Sequence, residues 1–119
     1  MEYMALIHAD EQSWDTLPTG ERESRLGRYA AFAEEARAAG VMVAGDELAA
    51  SATATTVRVR ENRISVTDGP YAEVKEPLGG FFILDCATIE DAVGWAARIP
   101  GAEHGAVEVR PVHVDREEV

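Results

Sequence analysis

The sequence is poor in the residues that form cross-links or hold metals. It has a single cysteine, Cys86, so no disulfide can form within the chain and cross-links do not indicate a compartment. Its three histidines, His8, His104 and His113, show no i to i+4 spacing of the kind that holds zinc on a helix. We therefore expect neither a metal nor another cofactor.

Positive charge and long apolar runs are also scarce. Eleven lysines and arginines stand against 22 acidic residues, and a chain with a net charge of -11 repels phosphate backbones, so no nucleic-acid partner is expected. The nearest thing to a basic cluster is Arg58, Arg60 and Arg63, in a predicted hairpin. The N-terminus lacks a basic segment and its apolar run is too short for a signal or a membrane span. We expect a cytoplasmic protein that does not associate with membranes.

Length and composition predict one domain over residues 1–119. With 46% hydrophobic residues, the chain can bury one two-layer core, and it is too short for two domains. Helical spacing predicts one helix from an N-cap at Thr19 to a stop at Gly40, and a second from an N-cap at Thr88 to Pro100. Apolar or alternating runs predict six strands, at Tyr3–His8, Val41–Glu47, Thr55–Arg60, Ile64–Thr67, Phe81–Cys86 and Ala106–Val114.

The order of these elements predicts an α+β fold. Strand, helix, strand, hairpin, strand, helix, strand corresponds to a ferredoxin-like split β-α-β core with an inserted β-hairpin, and both helices should lie on one face of the sheet. The strands Tyr3–His8 and Phe81–Cys86 are apolar on both faces, so the second face needs a cover. A two-fold homodimer with its sheets face to face is the predicted cover.

The pattern also predicts how individual segments are buried. The first helix should bury one stripe, with Phe32 at its flank, and Ala9 to Pro18 should form a loop in which Trp14 covers the core. Glu61-Asn62-Arg63 should form the hairpin turn, with Asn62 in a left-handed conformation. The residues expected in the stripe are Leu26, Tyr29, Ala30, Ala33, Ala36 and Arg37, and those expected to face inward from the hairpin are Val57, Val59, Ile64 and Val66.

One polar stretch leads into the most apolar strand. Asp68-Gly69-Pro70 must end the preceding strand, because glycine tolerates unusual backbone angles and proline lacks a donor. The run from there to Gly79-Gly80-Phe81 resembles the signature of the DGPF proteins, a branch of the YCII-related (YciI-like) family, with Tyr71 in place of the usual Phe. The resemblance extends to residues 3–11, 53–59 and 99–112. It implies a ferredoxin-like protomer that dimerises as a dimeric α+β barrel, and no established reaction.

The signature loop supplies the first candidate site. We expect the strand Tyr3–His8 to lie between the last strand and Phe81–Cys86, parallel to the latter, which places this loop near the end of the last strand. Carboxylates beside a lysine and a histidine could then act in general acid/base chemistry. The alternative is a capped turn with a solvated ion pair. The candidate catalytic residues are Asp68, Lys75, Glu76 and His113, and the candidate substrate-binding residues are Tyr71, Glu73 and Arg110.

A second candidate group is expected at the opposite end of the sheet. His8, Asp10 and Asp85 could form a dyad in which a carboxylate fixes the imidazole tautomer, or they could simply cap the loop. The YCII-type histidine and aspartate near the first helix are not carried over, because this helix contains no histidine.

Two functional hypotheses follow. The first is a homodimer that binds a small organic molecule in a cavity lined by the signature loop, with or without cofactor-free acid/base turnover. The second follows from the resemblance, because genes of this family often lie beside extracytoplasmic-function sigma factors. It is a non-catalytic regulatory partner of such a factor, contacting it through the acidic helix from Glu21 to Arg37.

Overall fold

A computed structural model of the chain describes residues 1–113. The α+β class is confirmed, while Val114, predicted as the end of the last strand, lies outside the described residues. The elements in chain order are β1 (Glu2–His8), α1 (Glu11–Asp15), α2 (Thr19–Ala38), β2 (Met42–Glu47), a 3-10 turn (Ser51–Thr53), β3 (Thr55–Arg60), β4 (Arg63–Asp68), β5 (Leu78–Asp85), α3 (Ile89–Ala96), α4 (Gly101–His104) and β6 (Ala106–Pro111).

Four strands form the main sheet in the order β2-β5-β1-β6, and every neighbouring pair is antiparallel. The inner position of β1 is confirmed, and Pro111 is the last residue of the edge strand β6. The prediction that β1 and β5 are parallel is wrong, because Glu2 pairs with Asp85 and His8 with Leu78. After β2 the chain enters the hairpin and returns to the sheet at the same end, so β5 runs opposite to β2. Because β1 and β2 run in the same direction, β5 also runs opposite to β1.

The core lies between one face of this sheet and the helices. Strand residues on that face pack against α2 and α3, which confirms that both predicted helices lie on the same side. The centroid of the Phe32 ring lies 5.0 Å from the ring centroid of Phe82 and 6.2 Å from that of Trp95. The core residues are Tyr3, Ala5, Ile7, Phe32, Ala36, Leu84, Cys86, Ala92, Ala96 and Ile99.

Helix α2 is rotated relative to the predicted stripe. Phe32 is 3% exposed and Leu26 is 49% exposed, so Phe32 is a core residue and Leu26 is not. The row that faces the sheet is Tyr29, Phe32 and Ala36, because residues three and four apart share a helix face. Gly40 follows the helix with φ 74°, which confirms it as the stop.

The helix ends differ from the prediction in three places. Residues 11–15 form α1 within the predicted loop, because the Asp10 carboxylate accepts a hydrogen bond from Gln12 N at 3.0 Å and caps the helix. Pro18, not Thr19, is the N-cap of α2 and makes no side-chain cap. Pro100 starts the further helix α4. The cap at Thr88 is confirmed by the bond from Asp91 N to its Oγ1 at 3.1 Å.

The hairpin β3-β4 forms a separate two-stranded sheet. Glu61 and Asn62 both have positive φ, at 50° and 63°, which gives a type I′ turn and confirms the left-handed Asn62. The prediction of inward apolar residues is wrong within the protomer, since these strands pair only with each other. The exposed fractions are 60% for Val57, 56% for Val59, 73% for Ile64 and 62% for Val66.

The face of the main sheet away from the helices is apolar as well. Met4 pairs with Ile83 and Leu6 with Phe81, and all four residues are partly exposed in the protomer. Among the helices of residues 1–113, none has the length and apolar character needed to cross a membrane.

Candidate ligand-binding cleft

The antiparallel pairing of β1 and β5 separates the first predicted group. Ala9 N donates to Pro77 O at 3.2 Å, so the signature loop returns beside the end of β1 at His8. Arg110 pairs with Met4, and Val112 N donates to Glu2 O at 2.9 Å, which puts His113 near the opposite end of β1. The seven residues of β1 span about 20 Å. His113 and Arg110 therefore do not join Asp68, Lys75 and Glu76.

The second predicted group is divided by the same pairing. Asp85 lies opposite Glu2 and accepts a hydrogen bond from the N-terminal ammonium at 2.9 Å. His8 and Asp10 lie at the other end of β1, and the Asp10 carboxylate caps α1. The Nε2 atom of His8 lies 3.5 Å from Glu108 Oε1, on the neighbouring strand β6. The prediction of a histidine–aspartate dyad that includes Asp85 is therefore wrong.

The signature loop is attached to the base of the hairpin. Asp68 pairs with Thr55, and Gly69, with φ 104°, donates from N to Ala54 O at 2.7 Å. Tyr71 is 76% exposed and stacks its ring on a guanidinium, with Arg58 Cζ 5.0 Å from the ring centroid. The other candidate residues of the loop lie at the surface and outside the cleft described next. They are Glu73, Lys75 and Glu76.

A cleft of about 600 Å³ opens at the His8 end of β1. Ile7 and Phe82 contribute to it from the helix-facing side of the sheet, and Trp14 and Tyr29 contribute aromatic rings from α1 and α2. Its volume and its mostly apolar lining are those of sites that take small organic molecules. The polar part of the signature, residues 68–76, contributes none of the lining residues, whereas Gly79, Gly80 and Phe81 line the cleft at the start of β5. The ends of β1 and β2 and three helices supply most of the other walls.

Glycines let the walls of this cleft approach each other. A Cβ on Gly45 would overlap the ring of Phe82, and one on Gly101 would lie 2.7 Å from both Ile7 Cγ2 and the Tyr29 hydroxyl. A Cβ on Gly80 would lie 3.0 Å from Asp46 O. These positions accept only glycine without rearrangement of the walls.

One side chain ties the two sides of the cleft mouth together. The Glu11 carboxylate, in α1, accepts hydrogen bonds from Ser51 Oγ at 2.6 Å and from Ser51 N at 2.7 Å. These bonds lower the pKa of Glu11 below its ordinary value, because both donors favour the ionised carboxylate. We call this pair the Glu11–Ser51 latch. It fixes α1 against the segment that follows β2.

The latch predicts a pH-dependent stability difference. Glu11→Gln should lower the free energy of unfolding at pH 7 by about 1 kcal/mol, because an amide accepts more weakly than a partly exposed carboxylate. The Glu11 pKa is depressed in the folded state, so the stabilisation is present above the unfolded pKa and is lost as pH falls through the folded one. Melting temperatures of both proteins between pH 7 and pH 3 should converge at the acid end. A gap that stays constant with pH would contradict the latch.

Two further polar groups face the interior of the cleft. Burial raises the pKa of the Tyr29 phenol above its ordinary value, and this outweighs the opposing hydrogen bond from the Gly101 backbone. Tyr29 is thus an uncharged hydroxyl at neutral pH. The Arg25 side chain, 16% exposed, lies with its Nη2 atom 3.5 Å from Glu21 Oε1. The pKa of the Tyr29 phenol is raised and the pKa of the Glu11 carboxyl is lowered, so both pKa values lie farther from neutral pH. Such groups suit hydrogen bonding to a ligand better than proton transfer.

Sequence reasoning identified only part of this cleft. Trp14 was predicted as a lid and does line the cleft, while Tyr29 was assigned only to the buried stripe and His104 to no site. The signal that could have pointed here is the recurrence of glycine, at Gly45 and at Gly79-Gly80, beside a buried strand. No spacing rule linked those glycines to the aromatic residues of the helices.

The described residues offer little for metal or thiol chemistry. Within residues 1–113, no three or more His, Cys, Asp or Glu side chains are grouped so that they could hold a metal. Cys86 is buried, and burial raises the pKa of its thiol, which disfavours the nucleophilic thiolate.

Comparison with known proteins relates nearly the whole chain to one group. The sequence profile of the YCII-related domain matches residues 1–114. An uncharacterized protein from Rhizobium meliloti (strain 1021) is 32% identical over 114 residues, which cover 94% of this chain and 92% of that relative.

Proposed function

Because the chain belongs to the YCII-related family, we propose that it is a homodimer that binds a small organic molecule in the cleft at the His8 end of β1. The observation that carries the proposal is the cleft of about 600 Å³. Apolar groups make up most of its lining, and Trp14 and Tyr29 offer ring faces to a ligand. The Tyr29 hydroxyl and Arg25 supply polar groups that would orient it.

The proposal is one of binding rather than turnover. A general acid or base works best with a pKa near the operating pH. Glu11 is held as a carboxylate and Tyr29 as a phenol, so neither supports proton transfer at neutral pH. The acid/base hypothesis for the signature loop loses its support as well, since His113 lies at the other end of β1 from that loop.

The finer classification is part of the proposal. We assign the chain to the DGPF branch on Asp68-Gly69-Pro70-Tyr71, and its fold to the ferredoxin-like type. The order β2-β5-β1-β6 supports the latter, since it places the first strand between the third and the fourth once the hairpin is set aside. A dimeric α+β barrel follows if two such sheets meet through the face that the helices leave bare.

Two apolar surfaces support the dimer. The bare face of the main sheet presents Met4, Leu6, Phe81 and Ile83, and the hairpin adds residues such as Ile64 that are more than half exposed. An isolated two-stranded hairpin is only marginally stable in water. A hairpin that extends away from its own protomer would therefore be stabilised by contact with another protein surface. The chain has a radius of gyration of 16.5 Å, against about 13.5 Å for a compact domain of this length. The hairpin therefore projects as an arm that a partner could cover.

The regulatory alternative stays a prediction. It relied on free acidic charge along α2, and part of that charge is engaged within the protomer, where Glu35 pairs with Arg98 and Glu21 with Arg25. A pull-down with a sigma factor of the extracytoplasmic-function class tests it. Capture of such a factor by an unliganded protein would favour regulation over ligand binding.

A cleft-filling variant tests the binding proposal. Ala49→Phe, at the lining of the cleft, should abolish the shift that small aromatic probes cause in the Trp14 indole N–H signal, because the added ring occupies ligand space. Trp95, outside this cleft, should not shift in either protein, which makes its indole an internal reference. Ala30→Phe adds the same ring on the exposed side of α2 and should leave binding unchanged. If a fragment screen moves neither indole, or moves that of Trp95 alone, the proposal is wrong.

A further inference from the structure

The polar part of the cleft lining is strongly acidic. Among the described residues of the lining, Arg25 is the one arginine, and it lies beside Glu21, which offsets its charge. His104, at the end of α4, is the remaining basic side chain of the lining. Against them stand four carboxylate residues, which are Asp10, Glu11, Asp15 and Glu47. The Asp46 carboxylate is not counted, because Asp46 pairs with Phe81 and its side chain lies on the face of the sheet away from the helices.

The negative charge of these residues is felt inside the cleft. The Glu47 carboxylate opposes ionisation of the Tyr29 phenol, which contributes to the raised pKa of that phenol. Asp10 likewise opposes ionisation of its neighbour Glu11, although the Ser51 hydrogen bonds outweigh that repulsion. Carboxylates that repel one another around an open space are stabilised when a positive charge enters it.

The rest of the lining suits the body of an organic cation. The faces of Trp14 and Tyr29 carry negative π density that attracts ammonium groups, and Ile7, Phe82 and Leu26 offer apolar surface. A bare metal ion would gain no stabilisation from the apolar walls. An organic anion would be repelled by the four carboxylates. Ligand class is therefore selected by two properties together, namely positive charge and apolar bulk.

We propose that the cleft selects an organic cation, an amine or quaternary ammonium carried on an apolar or aromatic body. This inference rests on the proposed function, since it assumes that the cleft takes a small molecule. It adds the class of that molecule. The acidic chain as a whole, with its net charge of -11, favours the approach of the same class.

Three probes of similar size separate the two proposals. Phenyltrimethylammonium, benzyl alcohol and benzoate are titrated at constant ionic strength against the full-length protein, and the Trp14 indole N–H signal is followed. The dissociation constant of the cation should be about tenfold lower than that of the alcohol, with benzoate weakest. If the alcohol or benzoate binds as tightly as the cation, the inference fails while the binding proposal stands. If no probe moves the Trp14 signal, both fail.

A pair of double variants tests the origin of the selectivity. Asp15→Asn with Glu47→Gln removes two carboxylates from the cleft, and the preference for the cation over the alcohol should fall to about threefold. Glu23→Gln with Glu34→Gln removes the same charge from exposed positions of α2 outside the cleft and should retain the tenfold preference. Equal losses in both proteins would show that net charge, and not the cleft, attracts the cation, and would overturn the inference.

Discussion

Gly105→Ala is expected to lower the free energy of unfolding by about 3 kcal/mol, which corresponds to a fall in melting temperature of about 10 °C. Gly105 joins α4 to β6, and the next residue, Ala106, pairs with His8. A Cβ there would overlap the carbonyl oxygen of His8 and lie 3.1 Å from both the carbonyl carbon of His8 and the Cα of Ala9. All three atoms belong to the backbone, so no side-chain rotation relieves the overlap, and β6 must shift relative to β1.

Urea and thermal unfolding would measure this effect, with Gly94→Ala as the matched control. Gly94 lies inside α3, and a Cβ there would meet no atom within 4 Å. The control should gain about 0.5 to 1 kcal/mol, because alanine is the better helix former. Equal stabilities of the wild-type protein and Gly105→Ala would show that the approach of β6 to the end of β1 is wrong, and with it the placement of α4 at the cleft.

Leu6→Glu is expected to convert the proposed dimer into a monomer. Leu6 lies on the face of β1 away from the helices, so in a face-to-face dimer the two-fold axis would bury two uncompensated carboxylates in one interface. At a few kcal/mol for each buried charge, the dissociation constant should rise at least about 10³-fold. Light scattering after size exclusion should then report the 12.9 kDa of one chain instead of twice that mass.

Ile64→Glu separates assembly from folding. This hairpin residue is 73% exposed in the protomer, so a charge there leaves the fold of the single chain unaffected. We expect it to weaken the dimer too, because the hairpin arm lies in the proposed interface. Ala30→Glu, on the exposed side of α2, should leave the mass unchanged. A monomeric wild-type protein, or dimers that survive both charged variants, would refute the proposed interface.

The Glu11–Ser51 latch and the close backbone contacts both fix the position of helices that line the cleft. Glu11 holds α1 to the segment after β2, and Gly101 and Gly105 hold α4 against β1. Substitutions at either place should therefore change ligand binding as well as stability. Substitutions of the hairpin valines, which lie outside the cleft, should leave ligand binding unchanged.

Much of the fold was determined by local pattern. The alternation of Tyr3, Ala5 and Ile7 with Met4 and Leu6 was enough to place β1 inside the sheet with two apolar faces, because successive side chains of a strand point to opposite sides. Turn chemistry was similarly decisive. Asn62 adopts the left-handed conformation of a type I′ turn, and Gly40 ends α2, because few other residues tolerate positive φ at low cost.

Direction and contact between distant segments were not in the pattern. The residue pattern of a strand is the same whether its neighbour is parallel or antiparallel. The mistaken direction of β5 therefore assigned the signature loop and Asp85 to the wrong ends of β1, which separated the members of both predicted groups. Burial of the hairpin was likewise misjudged, since alternation in β3 and β4 predicts an apolar face without saying what covers it. Both errors concern relations between segments, which no window of sequence contains.

The sequence by itself determined the two longer helices and the six strands, their order, the apolar second face of the sheet and the family to which the chain belongs. Only the tertiary structure decided where a ligand could bind, because Trp14, Tyr29 and Gly101 lie on three different helices and meet only when those helices pack at one end of β1. Local propensities act over a few residues, whereas a cleft depends on backbone surfaces that are distant along the chain and are brought together by burial of a common core.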